Sequence, residues 1–338
     1  MNRLIKLFSF TIAMFLASAT SWSQVISVKQ IGITVSDMDR SVAFYHDVLG
    51  FKKISDREWS GEKAETLQGL FGVRIRIVRM QLGDEMIELS DYLTPGGRSI
   101  PEDMKSNDLY FQHIAIVVSN MEKAYAHLKK HMVMRVSTEP QTIPVSNVAA
   151  AGIKAFYFQD PDHHDLELIF FPKGKGLAKW QNANGKLFLG IDHTAIGISN
   201  TDKSLAFYSQ LLGLERKGDS WNKGMEQAHL NNIENASLHI TGLRTNSGPG
   251  IEFLEYLQPG PGRKYPADSR CDDLWHWQTT VTVHHASDLY DRLRKEGFVI
   301  LSKSIVELDE PKRRPIMAFI VRDPDGHALL IKDGIDRP

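Results

Sequence analysis

Four short segments of alternating residue types begin the repeating units of this chain. They read QIGITV from Gln30, HIAIVV from His113, HTAIGI from His193 and QTTVTV from Gln278. Because successive side chains of a strand point to opposite faces, each segment predicts a strand with one apolar face and one face of small residues headed by His or Gln. The apolar face can pack under a helix. The other face must line something that admits polar groups, which indicates a cavity.

Helix and strand signals follow each of these segments. After a strand over residues 27–35, Ser36 and Asp37 offer an N-cap for an amphipathic helix over residues 38–49, which Gly50 ends. The next unit opens near Leu109 with the same order of signals. The other clear elements are strands at 73–81, 85–89, 155–158 and 165–170 and a helix at 121–130.

The second half of the chain repeats the first in sequence. SDMDRSVAFYHDVLGF from Ser36 returns as SNTDKSLAFYSQLLGL from Ser199, and AFYFQDPDHHDLEL from Ala155 returns as AFIVRDPDGHALLI from Ala318. A linker rich in Gly and Lys, residues 171–186, separates the halves. We predict four modules, each a strand, a helix and further strands, in two halves: residues 24–172 with modules 1 and 2, and residues 187–338 with modules 3 and 4.

The charge balance argues against nucleic acid as a partner. The 338-residue chain has 40 Lys and Arg residues against 41 Asp and Glu. It therefore offers no positive excess to attract nucleic acid or an anionic membrane. The expected partner is a small-molecule substrate, and a monomer is the working expectation.

The N-terminus predicts export. Arg3 and Lys6 precede an apolar run over residues 7–17, and small and polar residues follow it. The run is too short to span a bilayer comfortably, so we interpret residues 1–23 as a signal peptide and expect a periplasmic or extracellular protein with no membrane segment after cleavage. The only cysteine, Cys271, permits no intrachain disulfide, and we interpret it as structural rather than nucleophilic.

Acidic residues stand between apolar neighbours in the closing strands. Glu88, Glu167 and Glu252 occupy this position in modules 1 to 3, where an unpaired charge would be costly to bury, and Leu330 occupies it in module 4. His and Glu, each supplied twice, form a ligand set suited to a divalent first-row metal. The remaining histidines near turns or a helix start are interpreted as solvated or capping residues: His163, His164, His284, His285 and His327.

Together, the opening strand with His or Gln, the AFY…LG helix, the DPDG-type turn and the closing Glu resemble the vicinal-oxygen-chelate superfamily. This superfamily includes glyoxalase I, extradiol dioxygenases, epimerases and antibiotic-resistance proteins. The resemblance covers essentially the whole mature chain. It implies an α+β fold of four βαβββ modules forming two glyoxalase-like half-barrel pairs, and a divalent metal ion such as Ni, Co, Zn, Mn or Fe. Each module would contribute one ligand from its opening strand and one from its closing strand.

Two pairings of the modules are open. If module 2 pairs with 3 and module 1 with 4, one complete metal site results, formed by His113, Glu167, His193 and Glu252. If neighbours pair instead, the second-choice set is Gln30 and Glu88 with His113 and Glu167. We favour the swapped pairing because it leaves one complete site beside one that has lost most of its ligands. The ligand positions of this second site hold Gln30, Glu88, Gln278 and Leu330.

The resemblance implies a metal-dependent lyase or isomerase that acts on a small α-oxo compound through an enediolate. Glu167 or Glu252 would move the proton as general base and then acid. Two alternatives stay open. An extradiol-type ring-cleaving dioxygenase would use positions that resemble His193, Gln278 and Leu330, of which only His193 is a suitable ligand. A non-catalytic small-molecule binding protein of the resistance type would have no need of the retained glutamates.

Overall fold

Two eight-stranded sheets contain the four modules. The structure is a computed structural model that describes residues 25–309 and 315–334, so the predicted signal peptide lies outside the described residues. The strands are β1 Val25–Val35, β2 Lys52–Ser60, β3 Arg74–Leu82, β4 Glu85–Thr94, β5 Gln112–Val118, β6 Gln141–Thr142, β7 Lys154–Gln159, β8 Asp165–Phe170, β9 Phe188–Ile198, β10 Glu215–Lys223, β11 Ser237–Arg244, β12 Gly250–Gln258, β13 Trp277–Val283, β14 Val306–Leu308, β15 Ile316–Arg322 and β16 Ala328–Asp333.

In the described part of the chain six α-helices accompany these strands, and each module carries at least one. They are α1 Met38–Ala43, α2 Glu62–Gln68, α3 Met121–Lys130, α4 Thr201–Leu205, α5 Met225–Asn231 and α6 Ala286–Lys295. Across residues 25–309 and 315–334, none of them has the length and apolar character needed to cross a membrane.

The order of the strands decides which modules pair. Sheet one runs β14-β15-β16-β13-β1-β4-β3-β2, and sheet two runs β10-β11-β12-β9-β5-β8-β7-β6. At the centre of each sheet the opening strands of two modules lie antiparallel, β1 beside β13 and β5 beside β9. Module 1 therefore pairs with module 4 and module 2 with module 3, so the favoured swapped pairing is confirmed. Each sheet takes one module from each half of the sequence.

Two arginine clamps connect the modules across the halves. Arg98, after module 1, donates from Nη2 to the Asp273 carboxylate at 2.7 Å, and Arg263, after module 3, donates from Nη2 to the Asp108 carboxylate at 2.7 Å. Asp273 and Asp108 are almost fully buried and immediately precede the opening strands of modules 4 and 2. Charge-assisted bonds from a guanidinium to a buried carboxylate are strong and directional, so these clamps favour the swapped pairing over the neighbour pairing.

The apolar faces of the opening strands pack as the alternation predicts. Ile31, Ile33 and Val35 are buried in the largest core cluster together with Met38 of α1. The same cluster contains apolar residues from both sheets and from α3 and α6. The opposite face of β1 borders a cavity, as expected, because Gly32 and Thr34 are among its lining residues.

The predicted helix over residues 38–49 changes form part-way along. Asp37 caps α1 by accepting from the backbone N–H of Arg40 at 3.0 Å, but from Phe44 to Val48 the chain continues as a wider π-helical turn. The turn contains Tyr45, which is buried and donates its hydroxyl to Asp160 of module 2 at 3.1 Å. Tyr208 makes the equivalent bond to Asp323 at 3.1 Å. The repeated AFY motif thus joins neighbouring modules on the helical side.

Two of the three histidines in or beside the DPD turns are buried, which corrects the expectation that they are solvated, whereas His163 is exposed as expected. His164 and His327 are 1% and 2% exposed, and each places its Nδ1 beside an aspartate of its own turn. For His164 that partner is Asp160 at 2.9 Å, and its Nε2 donates to the carbonyl of Leu274 at 2.7 Å. Burial alone would lower the pKa of His164, but the charges of Asp160 and Asp162 outweigh it and raise the pKa to about 9.

This ion pair makes stability depend on pH. The pKa of His164 is raised from 6.5 to about 9 on folding, so its contribution is complete below about pH 6.5 and is lost as pH rises to about 9. We expect the free energy of unfolding from urea titrations to fall over that window, and to fall less in His164→Gln. Burial raises the pKa of Asp165 to about 7, so Asp165 changes the free energy of unfolding mainly at lower pH. The exposed His46→Gln variant should keep the wild-type slope, and an unchanged slope in His164→Gln would contradict the assignment.

Cys271 lies in the inner core of sheet one and is 1% exposed. Burial raises the pKa of its thiol to about 12, so the thiol stays protonated at neutral pH. Both observations agree with a structural role.

Candidate metal centre

Three predicted ligands converge on the inner face of sheet two. Glu167 of β8 and His193 of β9 both lie opposite Ala115 of β5, two residues after His113. A strand places residues two apart on the same face, so the register brings all three side chains to one side of the sheet. Their ligand atoms lie within 4.8 Å of one another.

One carboxylate oxygen of this cluster lies near both histidines. Glu167 Oε2 lies 3.1 Å from His113 Nε2 and 3.5 Å from His193 Nε2. The fourth predicted residue, Glu252 of β12, places Oε1 3.5 Å from His193 Nε2. The structure therefore brings together all four residues of the complete set, three as a tight group and Glu252 beside it.

The two glutamates differ in exposure and in charge environment. The Glu167 side chain is 7% exposed, whereas the Glu252 side chain is 25% exposed at the edge of the group. Burial would raise the pKa of Glu167, but the hydrogen bond from His113 and the charge of His193 nearby lower it below the ordinary value. Burial raises the pKa of Glu252 to about 6. Glu167 is thus held as a carboxylate, while Glu252 exchanges a proton near neutral pH.

The two histidines also differ. Burial lowers the pKa of His113. Burial acts the same way on His193, but the carboxylates of Glu252, Asp192 and Glu167 outweigh it and raise its pKa well above the ordinary value. Positive charge is therefore favoured at the point where the carboxylates meet, beside His193.

A buried carboxylate that the sequence reasoning did not identify orients His193. Asp192 Oδ2 accepts from His193 Nδ1 at 3.0 Å and from Arg244 Nη2 at 2.6 Å, and Trp180 Nε1 donates to Asp192 Oδ1 at 2.6 Å. Trp180 comes from the linker between the halves, in a short 3-10 helix. A carboxylate on the far nitrogen of a ligand histidine fixes its tautomer and orientation. The adjacent Asp-His pair was the only sequence signal for this arrangement.

The donor set fits a divalent cation. Because Nδ1 of His193 is bonded to Asp192, Nε2 is the nitrogen that can give up its proton and bind an ion, and this buried atom has no hydrogen-bond partner among the described residues. Two imidazole nitrogens and one or two carboxylate oxygens are donors that first-row divalent ions accept. A cation between them would replace the proton of Nε2 and balance the carboxylates of Glu167 and Glu252.

The other predicted positions lie together in sheet one. Glu88 faces Gly32 in the register of β1 and β4, and Gln278 also faces Gly32 across β13. Glu88 accepts from Arg79 Nε at 2.9 Å, so an arginine of its own module already neutralises it. Because Gln30 and Glu88 belong to sheet one, and His113 and Glu167 to sheet two, the structure does not bring the second-choice set together.

Comparison with known proteins agrees with this architecture. The model of the Glyoxalase/Bleomycin resistance protein/Dioxygenase superfamily matches residues 27–168 and 190–331. The chain belongs to this superfamily. The two matched regions correspond to the two halves predicted from the internal repeat, and they make the protein a tandem member of the superfamily with four modules.

Named relatives within the superfamily differ in activity. A 2-epi-5-epi-valiolone epimerase from Actinomyces sp. is 29% identical over 157 residues, which cover 44% of this chain and 81% of the epimerase. Glyoxalase I from Zea mays superposes with a TM-score of 0.61 at 15% identity, covering 91% of this chain and 92% of the maize chain. A putative dioxygenase from Bacillus subtilis superposes with a TM-score of 0.56 at 13% identity, covering 94% and 87%. The two structural likenesses concern the fold alone.

Proposed function

We propose that this protein is an exported, metal-dependent lyase or isomerase of the glyoxalase type that acts on a small α-oxo compound. The observation that carries the proposal is the buried group of His113, Glu167 and His193, with Glu252 at its edge. A structural core has no need of two histidines and two glutamates on one face, because burying these groups is costly unless they bind a ligand or a metal.

The chain's own residues divide into two roles. His113, His193 and Glu167 would hold the ion, since their ligand atoms lie closest together and are the most deeply buried. Asp192 keeps His193 in the orientation that presents Nε2 to the ion. When bound, a divalent ion would polarise vicinal oxygens of the substrate and acidify the neighbouring C–H group.

Glu252 is the better candidate for the group that moves the proton. Its side chain is partly exposed and its nearest oxygen is 3.5 Å from His193 Nε2, whereas Glu167 is buried between both histidines. A carboxylate at the edge of the group can reach a substrate carbon, accept a proton from it and return the proton to the same or the neighbouring carbon. Return to the same carbon on the other face is an epimerisation, and return to the neighbouring carbon is an isomerisation.

The superfamily relatives support this reaction class without deciding the substrate. Moving a proton next to a carbonyl serves both a glyoxalase reaction and an epimerase reaction. The epimerase relative aligns with less than half of this chain. The assignment of lyase or isomerase chemistry to this chain therefore depends on its own residues.

An assay on α-oxo hemithioacetals and on 2-oxo sugars in deuterated water tests the proposal. We expect metal-loaded wild type to exchange the proton next to the carbonyl, which NMR detects, and His113→Ala to exchange it no faster than buffer. Equal exchange in both proteins would contradict the proposal. Oxygen uptake with a catechol, in the absence of any exchange, would favour the ring-cleaving dioxygenase instead.

A further inference from the structure

A cavity of about 210 Å³ opens on the inner face of sheet one, away from the histidine and glutamate group. Modules 1 and 4 supply its walls. Its charged lining residues are four bases and two acids: Arg57, Lys63, Arg79, Lys332, Glu88 and Asp309. The ligand positions of this half barrel hold two glutamines and a leucine beside Glu88, so it lacks a donor set for a divalent ion among the residues at those positions.

Besides lacking the metal ligands, the half barrel of sheet one has polar side chains at positions where the half barrel of sheet two has none. Positions that are apolar or glycine in sheet two carry basic or imidazole side chains in sheet one. The equivalent pairs, by strand register and by repeat alignment, are Arg79 for Gly242, Lys332 for Ile169 and His276 for Phe111. The cavity of sheet one thus carries three polar groups where sheet two has none, and one of them, His276, is buried, which is costly without a polar partner.

The charges in the cavity do not cancel. Arg79 Nε pairs with Glu88 at 2.9 Å, and Lys63 Nζ pairs with Asp309 at 2.7 Å. Within residues 25–309 and 315–334, the Arg57 guanidinium pairs with no carboxylate and lies 6.0 Å from the centre of the Trp59 ring. A positive excess therefore faces the cavity and attracts an anion.

The buried acid of this cavity lies beside two of its bases. Burial alone would raise the pKa of Glu88, yet the charges of Lys332 and Arg79 lower it below the ordinary value.

His276 adds a polar group directed at the cavity. It is 5% exposed, it lines the cavity, and its Nε2 has no hydrogen-bond partner within the described part of the chain. Burial lowers the pKa of His276 to about 3, so the ring is neutral at physiological pH. A neutral imidazole can donate to or accept from a ligand atom, and a bound polar group would satisfy the buried Nε2.

We propose that the cavity of sheet one is a second, metal-independent binding site for a small organic carboxylate with an apolar body. The carboxylate group of the ligand would lie between Arg57 and Arg79. Arg79 bonds Glu88 through Nε, and the other N–H groups of its guanidinium can donate to the ligand. Trp59, Ile77 and Leu330 provide apolar wall for the rest of the ligand. The site is separate from the proposed metal centre and does not depend on the proposed reaction.

Isothermal titration calorimetry of the full chain in EDTA tests this site, with benzoate, cyclohexanecarboxylate and 2-oxobutyrate as probes. We expect one of the three to bind once per chain, and its neutral amide to bind at least about tenfold more weakly, since a charge-assisted bond is lost. Arg57→Gln should weaken the carboxylate about tenfold or more. His276→Phe, which introduces the residue found in sheet two, should weaken it as well.

Two control variants locate the binding. Lys29→Gln removes an exposed positive charge that does not line the cavity, and His113→Ala alters the other half barrel, so both should bind like wild type. Binding that survives Arg57→Gln and His276→Phe but is lost in His113→Ala would overturn the proposal. So would the failure of all three carboxylates to bind, or equally tight binding of inorganic phosphate, which has no apolar body.

Discussion

Replacing His113 by alanine is expected to lower the affinity of the protein for a divalent ion by more than about 100-fold. Loss of residues that only support ligands typically costs 10- to 100-fold in affinity, and His113 is a proposed ligand itself. Its Nε2 lies 3.1 Å from Glu167, so the substitution also removes the group that positions this carboxylate. The proteins are dialysed against buffered zinc or nickel, and elemental mass spectrometry then measures the metal bound to wild type and to the variant.

Stability provides a second measurement that needs no substrate. An ion that binds only the folded state adds about 2.7 kcal/mol of stability when its concentration is 100 times its dissociation constant. We expect this metal-dependent gain in wild type and none in His113→Ala. In EDTA the variant should also be less stable, because Glu167 then remains buried with one partner fewer.

Gln30→Ala is the matched control for this experiment. Gln30 lies on the opening strand of module 1 in sheet one, away from the proposed metal centre, so its replacement should leave the metal content unchanged. If Gln30→Ala lost the metal and His113→Ala kept it, the ion would belong to the other half barrel, and the proposed centre would be wrong. Equal metal content in all three proteins would place the ion outside both sets of residues.

Replacing Glu252 by glutamine is expected to separate metal binding from proton transfer. Glutamine keeps the size of the side chain but cannot accept a proton, and general acid–base catalysis contributes about 10²- to 10⁴-fold to a rate. Because Glu252 lies at the edge of the group, the variant should retain most of its metal and lose turnover by a factor in that range. Glu167→Gln, at the centre of the group, should lose the metal as well.

The measurement combines metal content with the rate of deuterium exchange on the best substrate found for the wild type. Glu215→Gln serves as a control because it removes an exposed carboxylate of the same module that pairs with Lys217 at the surface. Full activity in Glu252→Gln would exclude it as the proton carrier. Loss of both metal and activity would instead assign Glu252 to the ligand set, as in the original four-residue prediction.

Much of the fold follows from local signals in the sequence. The helix predicted at 121–130 coincides with α3, and the strand predicted at 165–170 coincides with β8. Their boundaries depend on neighbouring residues: Asn120 caps α3 through Lys123, and alternation over a few residues defines β8. The helix at 38–49 was predicted less well, because the π-helical turn at Phe44 depends on the contact between Tyr45 and a turn of another module.

The sequence by itself determined the four modules and the duplication, and it predicted the four residues proposed as ligands, because each depends on pattern and repeat within short segments. Tertiary structure decided the pairing of modules, since the clamps Arg98 with Asp273 and Arg263 with Asp108 join residues more than 150 positions apart. It also decided the roles of Asp192 and Arg79. Asp192 of β9 pairs with Arg244 of β11, and Arg79 of β3 pairs with Glu88 of β4, so each role depends on a contact between strands that the order of residues does not encode.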